Sequence, residues 1–146
     1  MRMLETITLD EAKLIAAAAA AKAASQAWPV VIAILDSGGH LLYLERADDA
    51  QLGSVLVAQE KARTALLFRR PTKALQDRVV EGRTNMLALP GATPIEGGLP
   101  LMHQGRLVGS IGVSGVQSHE DAIIATAGVD ALAAAMQDRN GGASAG

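Results

Sequence analysis

The sequence predicts an α+β fold, with a single antiparallel sheet of about five strands covered by helices. Two hairpin signatures carry this expectation, one turning through Asp36-Ser37-Gly38-Gly39 and one through Gln104-Gly105, each between β-rich runs. Helical periodicity before, between and after the hairpins supplies the covering layers. A length of 146 residues with 49% apolar composition suits one compact core. The domain is expected over 1–139, with the Gly- and Ser-rich stretch 140–146 as a disordered tail.

Each element has a local cause. Thr8-Leu9-Asp10-Glu11 fits a capping box and opens a helix from about Leu9 to Gln26, which Trp28-Pro29 ends. Val30–Leu35 reads as a strand, and His40–Glu45 as its return. Asp36 is expected to hold the intervening turn through an Asx bond. Val55, Ala58, Ala62, Ala65 and Leu66 recur at helical spacing, so a helix is expected over Leu52–Phe68. Arg70-Pro71-Thr72 breaks it, and a shorter helix follows from Lys73 to about Glu81. Ala88–Pro100 holds three prolines and three glycines in thirteen residues, which predicts a loop with one short strand around Ile95. Leu99–His103 and Arg106–Val113 form the second hairpin. Ser118 is expected to cap a last helix running to about Gln137, acidic in its first turn as the helix dipole prefers.

Composition excludes several function classes. A net charge of −2, with one Trp, one Tyr and one Phe, offers neither attraction for polyanions nor stacking platforms, so no nucleic-acid partner is expected. The absence of cysteine removes disulfides and thiol chemistry and suits a reducing compartment. The run Leu14–Ala21 is far shorter than the ~20 residues of a membrane span. The first residues show no export signal, and a cytoplasmic location is expected.

Glycines at 109, 112 and 115 do not match a dinucleotide fingerprint, and no Gly-Lys-Ser/Thr of a phosphate loop occurs. In a strand, Ser110, Gly112 and Ser114 share one bare face, opposite Ile111 and Val113. That face either lets a neighbour pack closely or, with Gly115 and the helix start at Ser118, forms one wall of a pocket. The Gly97-Gly98 loop, with Glu96 at its mouth, is either a surface turn or the opposite wall. Lys61 stands at the edge of an apolar helical face, as a snorkelling stem or as a site ammonium. Arg46 follows the first hairpin, in a solvated loop or as a cation for an anionic ligand. His40, His103 and His119 lack the spacing of a zinc site, whereas a haem iron needs only one protein ligand.

Taken together, Val30–Ala50, Lys61–Ala65, Arg70–Thr72, Gly97–Leu101 and Gly105–Gly115 followed by Asp121 resemble the GlcG/HbpS family, over about Thr8 to Ala135. The resemblance implies a profilin-like fold, homo-tetramers or octamers, and members that bind haem, a corrinoid or other small ligands, several of them in catabolic operons. Two functions follow. The first is a small-ligand-binding protein, with haem or a related tetrapyrrole as best candidate, His40 or His103 on the iron, and Arg46 or Lys61 on the propionates. The second is a cofactor-free catabolic enzyme of lyase, isomerase or hydratase type. In it Gly97, Gly98, Gly112, Ser114 and Gly115 surround an organic acid and Lys61, Glu96, His119 and Asp121 do the chemistry. An oligomeric accessory protein, its glycine strand merely packing, is the third expectation.

Overall fold

The structure, a computed structural model, describes the backbone of residues 1–144 and the side chains of 1–141. In chain order the elements are α1 (Leu9–Ser25), β1 (Val31–Asp36), β2 (Leu41–Arg46), α2 (Ser54–Phe68), α3 (Thr72–Val80), a 3-10 turn (Thr84–Ala88), β3 (Gly98–His103), β4 (Arg106–Ser114) and α4 (Ser118–Ser144). The sheet has four strands, all antiparallel, in the order β2-β1-β4-β3. The fifth strand expected around Ile95 does not form. Residues 92–95 there are irregular, with Pro94 unable to donate to a ladder. At the other end of the chain, α4 continues past Gln137 and through residues 140–144, where the sequence predicts a tail; residues 145–146 lie outside the described residues.

The capping box at Thr8 forms as the sequence requires. Glu11 N donates to Thr8 Oγ1 at 3.2 Å, and Thr8 N donates to Glu11 Oε1 at 2.9 Å. Glu11 also takes the Arg139 guanidinium at 3.2 Å, which ties the extended end of α4 to the start of α1. The first turn likewise matches its chemistry, Asp36 Oδ1 accepting from Gly38 N and His40 N. In the second, Gln104 and Gly105 both have positive φ, the backbone of a two-residue hairpin whose twist matches its strands.

The two faces of the sheet bury different surfaces. Ile32, Ile34, Ile111 and Val113 meet an alanine-rich face of α1 and the inner face of α4, around Ile15, Ala19 and Ile124. Gly128 brings these two helices together, since a Cβ there would lie 2.9 Å from both Ile15 and Ile111 side chains. On the other face, α2 lies almost on the backbone of β4 and β3. A Cβ at Gly112 would stand 1.9 Å from Ala58 O, and one at Gly98, its partner across the ladder, 2.2 Å from Lys61 O. The bare face of β4 is therefore the seat of α2, and Ser114 Oγ is bonded to Ser54 Oγ of that helix at 3.1 Å.

This close seat carries Lys61 into the interior. Its side chain is 2% exposed, so the edge position predicted by helical spacing is corrected to full burial. The ammonium donates to Asp121 Oδ2 and to Val113 O, each at 3.0 Å. Asp121, also 2% exposed, accepts Val116 N on its other oxygen at 3.1 Å. Burial raises the Asp121 carboxyl above its ordinary range, and Lys61 and the Val116 and Gly115 amides only partly offset this. Ser118 is the first residue of α4 rather than its cap. Glu120 takes the Gln117 amide at 3.1 Å, so the acids of the first turn satisfy the two amides that lead into the helix.

Three outcomes are expected. Gly112→Ala should destabilise the fold by about 3 kcal/mol or more in urea denaturation, because helix backbone cannot yield as a side chain does. Lys61→Met should cost about 3–5 kcal/mol by leaving a buried carboxylate unpaired, and Lys61→Met with Asp121→Asn should recover most of that loss, a coupling read by a double-mutant cycle. The third concerns acid. Burial pulls the Glu11 carboxyl upward, but Thr8 and Arg139 outweigh it and hold its pKa below 4.5. A carboxylate depressed in the folded state contributes stability above its unfolded pKa and loses it as pH falls through the folded value. Denaturation midpoints measured from about pH 6 downwards should therefore decline less steeply in Glu11→Gln than in the parent.

Candidate functional site

Both hairpin turns point to one end of the sheet, and the chain start crosses the same end. Ile7 N donates to Val108 O at 3.1 Å, Ser37 N donates to Thr6 Oγ1 at 2.9 Å, and Glu5 pairs with Arg106. Register shifts by one residue between Leu101 and Met102, which pair with Gly109 and Leu107 and leave Val108 between them. Such a bulge re-aims the side chains beside it. Val108 joins the core under α1 and α4, whereas Leu107 and Met102 line a groove on the side where α2 ends. The groove measures about 380 Å³, within the range of small-molecule sites. Met3, Leu4, Met102 and Leu107 form its apolar lining, and Arg2, Arg69 and Arg106 supply its cations.

Of the sites read from the sequence, the structure brings Lys61, Asp121, Gly97 and Gly98 together, and closes them. Gly97, at φ +132°, has Lys61 Nζ within 2.8 Å of where a Cβ would stand, and Gly98 is bracketed by Thr72, whose hydroxyl accepts Gly98 N at 2.9 Å. Gly112 and Ser114 face α2 instead of a cavity, and Gly115 packs against Pro29 O. Glu96 lies at the rim of this junction, its amide donating to Gln76 Oε1 at 2.8 Å, and His119 is exposed on the first turn of α4. Arg46 is exposed at the end of edge strand β2, opposite Val31. The His40 side chain is 82% exposed and turned toward Asp36, while His103 lines a separate recess with Glu11, Val108 and Met136. Among the described residues, no group of three or more His, Cys, Asp or Glu could hold a metal ion.

Sequence reasoning missed Arg2, Arg69 and Arg106. Their signal was faint: only Arg69 stands at a marked position, just past the last turn of α2, where a left-handed residue and hence glycine is usual.

Comparison with known proteins agrees with this architecture. A family model described as haem degrading protein HbpS-like matches residues 7–130. Protein GlcG of Escherichia coli K12 is 43% identical over 114 residues, covering 78% of this chain and 85% of that one. The crystal structure of HbpS superposes with a TM-score of 0.84 at 31% identity, covering 90% of this chain and 94% of the other. That of a PduOC:haem complex does so with a TM-score of 0.78 at 28% identity, covering 86% and 94%. With the match spanning both hairpins, α2 and the first half of α4, the chain belongs to the HbpS-like family.

Proposed function

We propose that this protein binds a small amphipathic anion, haem or a related tetrapyrrole being the best candidate. The observation that carries the reading is the groove at the turn end of the sheet, which joins an apolar lining to three arginines. A haem asks for an apolar slot, an iron ligand and cations for its propionates, and these residues fit those demands. Met3, Met102 and Leu107 would meet the ring, and the arginines its carboxylates. Met102, which lines the groove, is the first candidate for the iron; His40 and His103, from the same end of the sheet but outside the groove's lining, are the others. When bound, haem supplies an iron centre for small-ligand or redox chemistry. The groove residues hold and orient it and shield one of its faces from water. Relatives structurally described as HbpS and a PduOC:haem complex support the same assignment.

The alternative, a cofactor-free lyase, isomerase or hydratase, rests on the Lys61–Asp121 pair beside Gly97. Both side chains are buried, so a substrate would reach them only if the start of α4 opened. Exposed Leu56 and Leu67 on the outer side of α2, with exposed Leu52 just before the helix, support a homo-oligomer, a tetramer or octamer as the resemblance implies. A cytoplasmic setting is part of the same proposal; among the described residues, no helix is long and apolar enough to cross a membrane.

Titration with ferric haem should give a saturable Soret band at one equivalent per chain. Met102→Leu should shift that band if the thioether binds iron, and His40→Ala or His103→Ala should shift it if an imidazole does. Absence of any band at stoichiometric haem would remove the haem reading.

A further inference from the structure

We infer that the groove selects a dicarboxylate, with Arg2 and Arg69 each receiving one carboxylate. The inference rests on the proposed site but not on iron. Arg106 is already neutralised by Glu5. Arg2 and Arg69 have no hydrogen bond or ion pair from their guanidiniums among the described residues, so two arginines without an internal partner line one concavity. A planar guanidinium matches a carboxylate with two parallel hydrogen bonds, a geometry lysine would not give. Met3, Met102 and Leu107 lie along the same groove, so the body carrying the two acids is apolar.

The backbone of Arg69 points the same way. It closes α2 at φ 54°, ψ 42°, in the left-handed region that glycine enters freely and a residue with a side chain does not. An arginine held there against local preference is a residue whose side chain has a use elsewhere, and Arg69 lines the groove. This separates function from folding, because glycine at the same position satisfies the helix end and removes the cation.

The test compares metal-free protoporphyrin IX, which keeps both propionates, with its dimethyl ester, by fluorescence titration of the full chain. The diacid should bind at least ~10-fold tighter than the ester, and tightness should fall as salt is added. Arg69→Gly should weaken the diacid by ~10-fold while its Tm stays unchanged or rises, and Arg2→Gln should weaken it comparably. Glu5→Gln, by freeing Arg106 and removing a like charge, should tighten it. Equal binding of diacid and ester, unchanged affinity in Arg69→Gly, or weaker binding in Glu5→Gln would overturn the clamp. If haem gives no Soret band while the diacid binds in an Arg69-dependent way, the clamp stands and the haem reading falls. If the diacid does not bind and sebacate, an apolar-chain dicarboxylate without a ring, leaves Tm unmoved at millimolar concentration, the clamp itself falls.

Discussion

The seat of α2 on the sheet is the contact from which the remaining geometry follows. Helices ordinarily stand about 10 Å from a neighbouring layer because side chains fill the gap. Here Gly98 and Gly112, paired across the β3–β4 ladder, remove two of those side chains, and Ala58 and Ala62 remove two more from the helix. The backbone of α2 drops into that space, and Lys61 goes down with it. An ammonium so placed is tolerable only with a fixed partner, since the cost of stripping water from a charge exceeds what one neutral hydrogen bond returns. Asp121 provides the partner, and its own second oxygen is spent on the Val116 amide. One ion pair thus fixes α2 to the start of α4 and to the end of β4.

The two ends of the sheet consequently differ in kind. At the Lys61–Asp121 end the buried ammonium and carboxylate are both paired and glycine fits where a side chain would collide, as at Gly97 beside Val113 O. At the turn end, charges outnumber their partners, and the apolar side chains Met3, Leu4 and Met102 stay exposed. Buried and satisfied groups stabilise; exposed and unsatisfied ones wait for a ligand. The same helix serves both ends, its middle carrying the buried lysine and the residue that caps it, Arg69, lining the groove.

Local chemistry made most of the fold legible. The capping box at Thr8, the Asx-bonded turn at Asp36 and the Gln104-Gly105 hairpin depend on residues three or four apart, and the structure places their elements within two residues of the expected bounds, the far end of α4 excepted. The alternation that put Ser110, Gly112 and Ser114 on one face was equally readable, yet it could not say what covers that face. That answer is tertiary: it needs the register of Gly98 against Gly112 and the approach of α2. Residues 140–144 read as a tail from their glycines and serine, whereas α4 runs on to Ser144 and Arg139, bound to Glu11, anchors the helix just before them.

The candidate site was less legible, and the cause is physical. Lys61 and Asp121 each carried a signal, but their pairing spans 60 residues and no periodicity reports it. The arginines carried almost none, since an arginine near a chain start, at a helix end or beside a turn is ordinary in each place. Convergence alone gives them meaning. A bulge one residue long turns Leu107 and Met102 toward the end of α2, the strap of residues 5–7 closes over the strands, and three unrelated cations come to share one groove. Among the described residues, only Arg106 of the three finds a carboxylate. The charge left over is a property of the fold as assembled, and an amphipathic dianion is the ligand that would balance it.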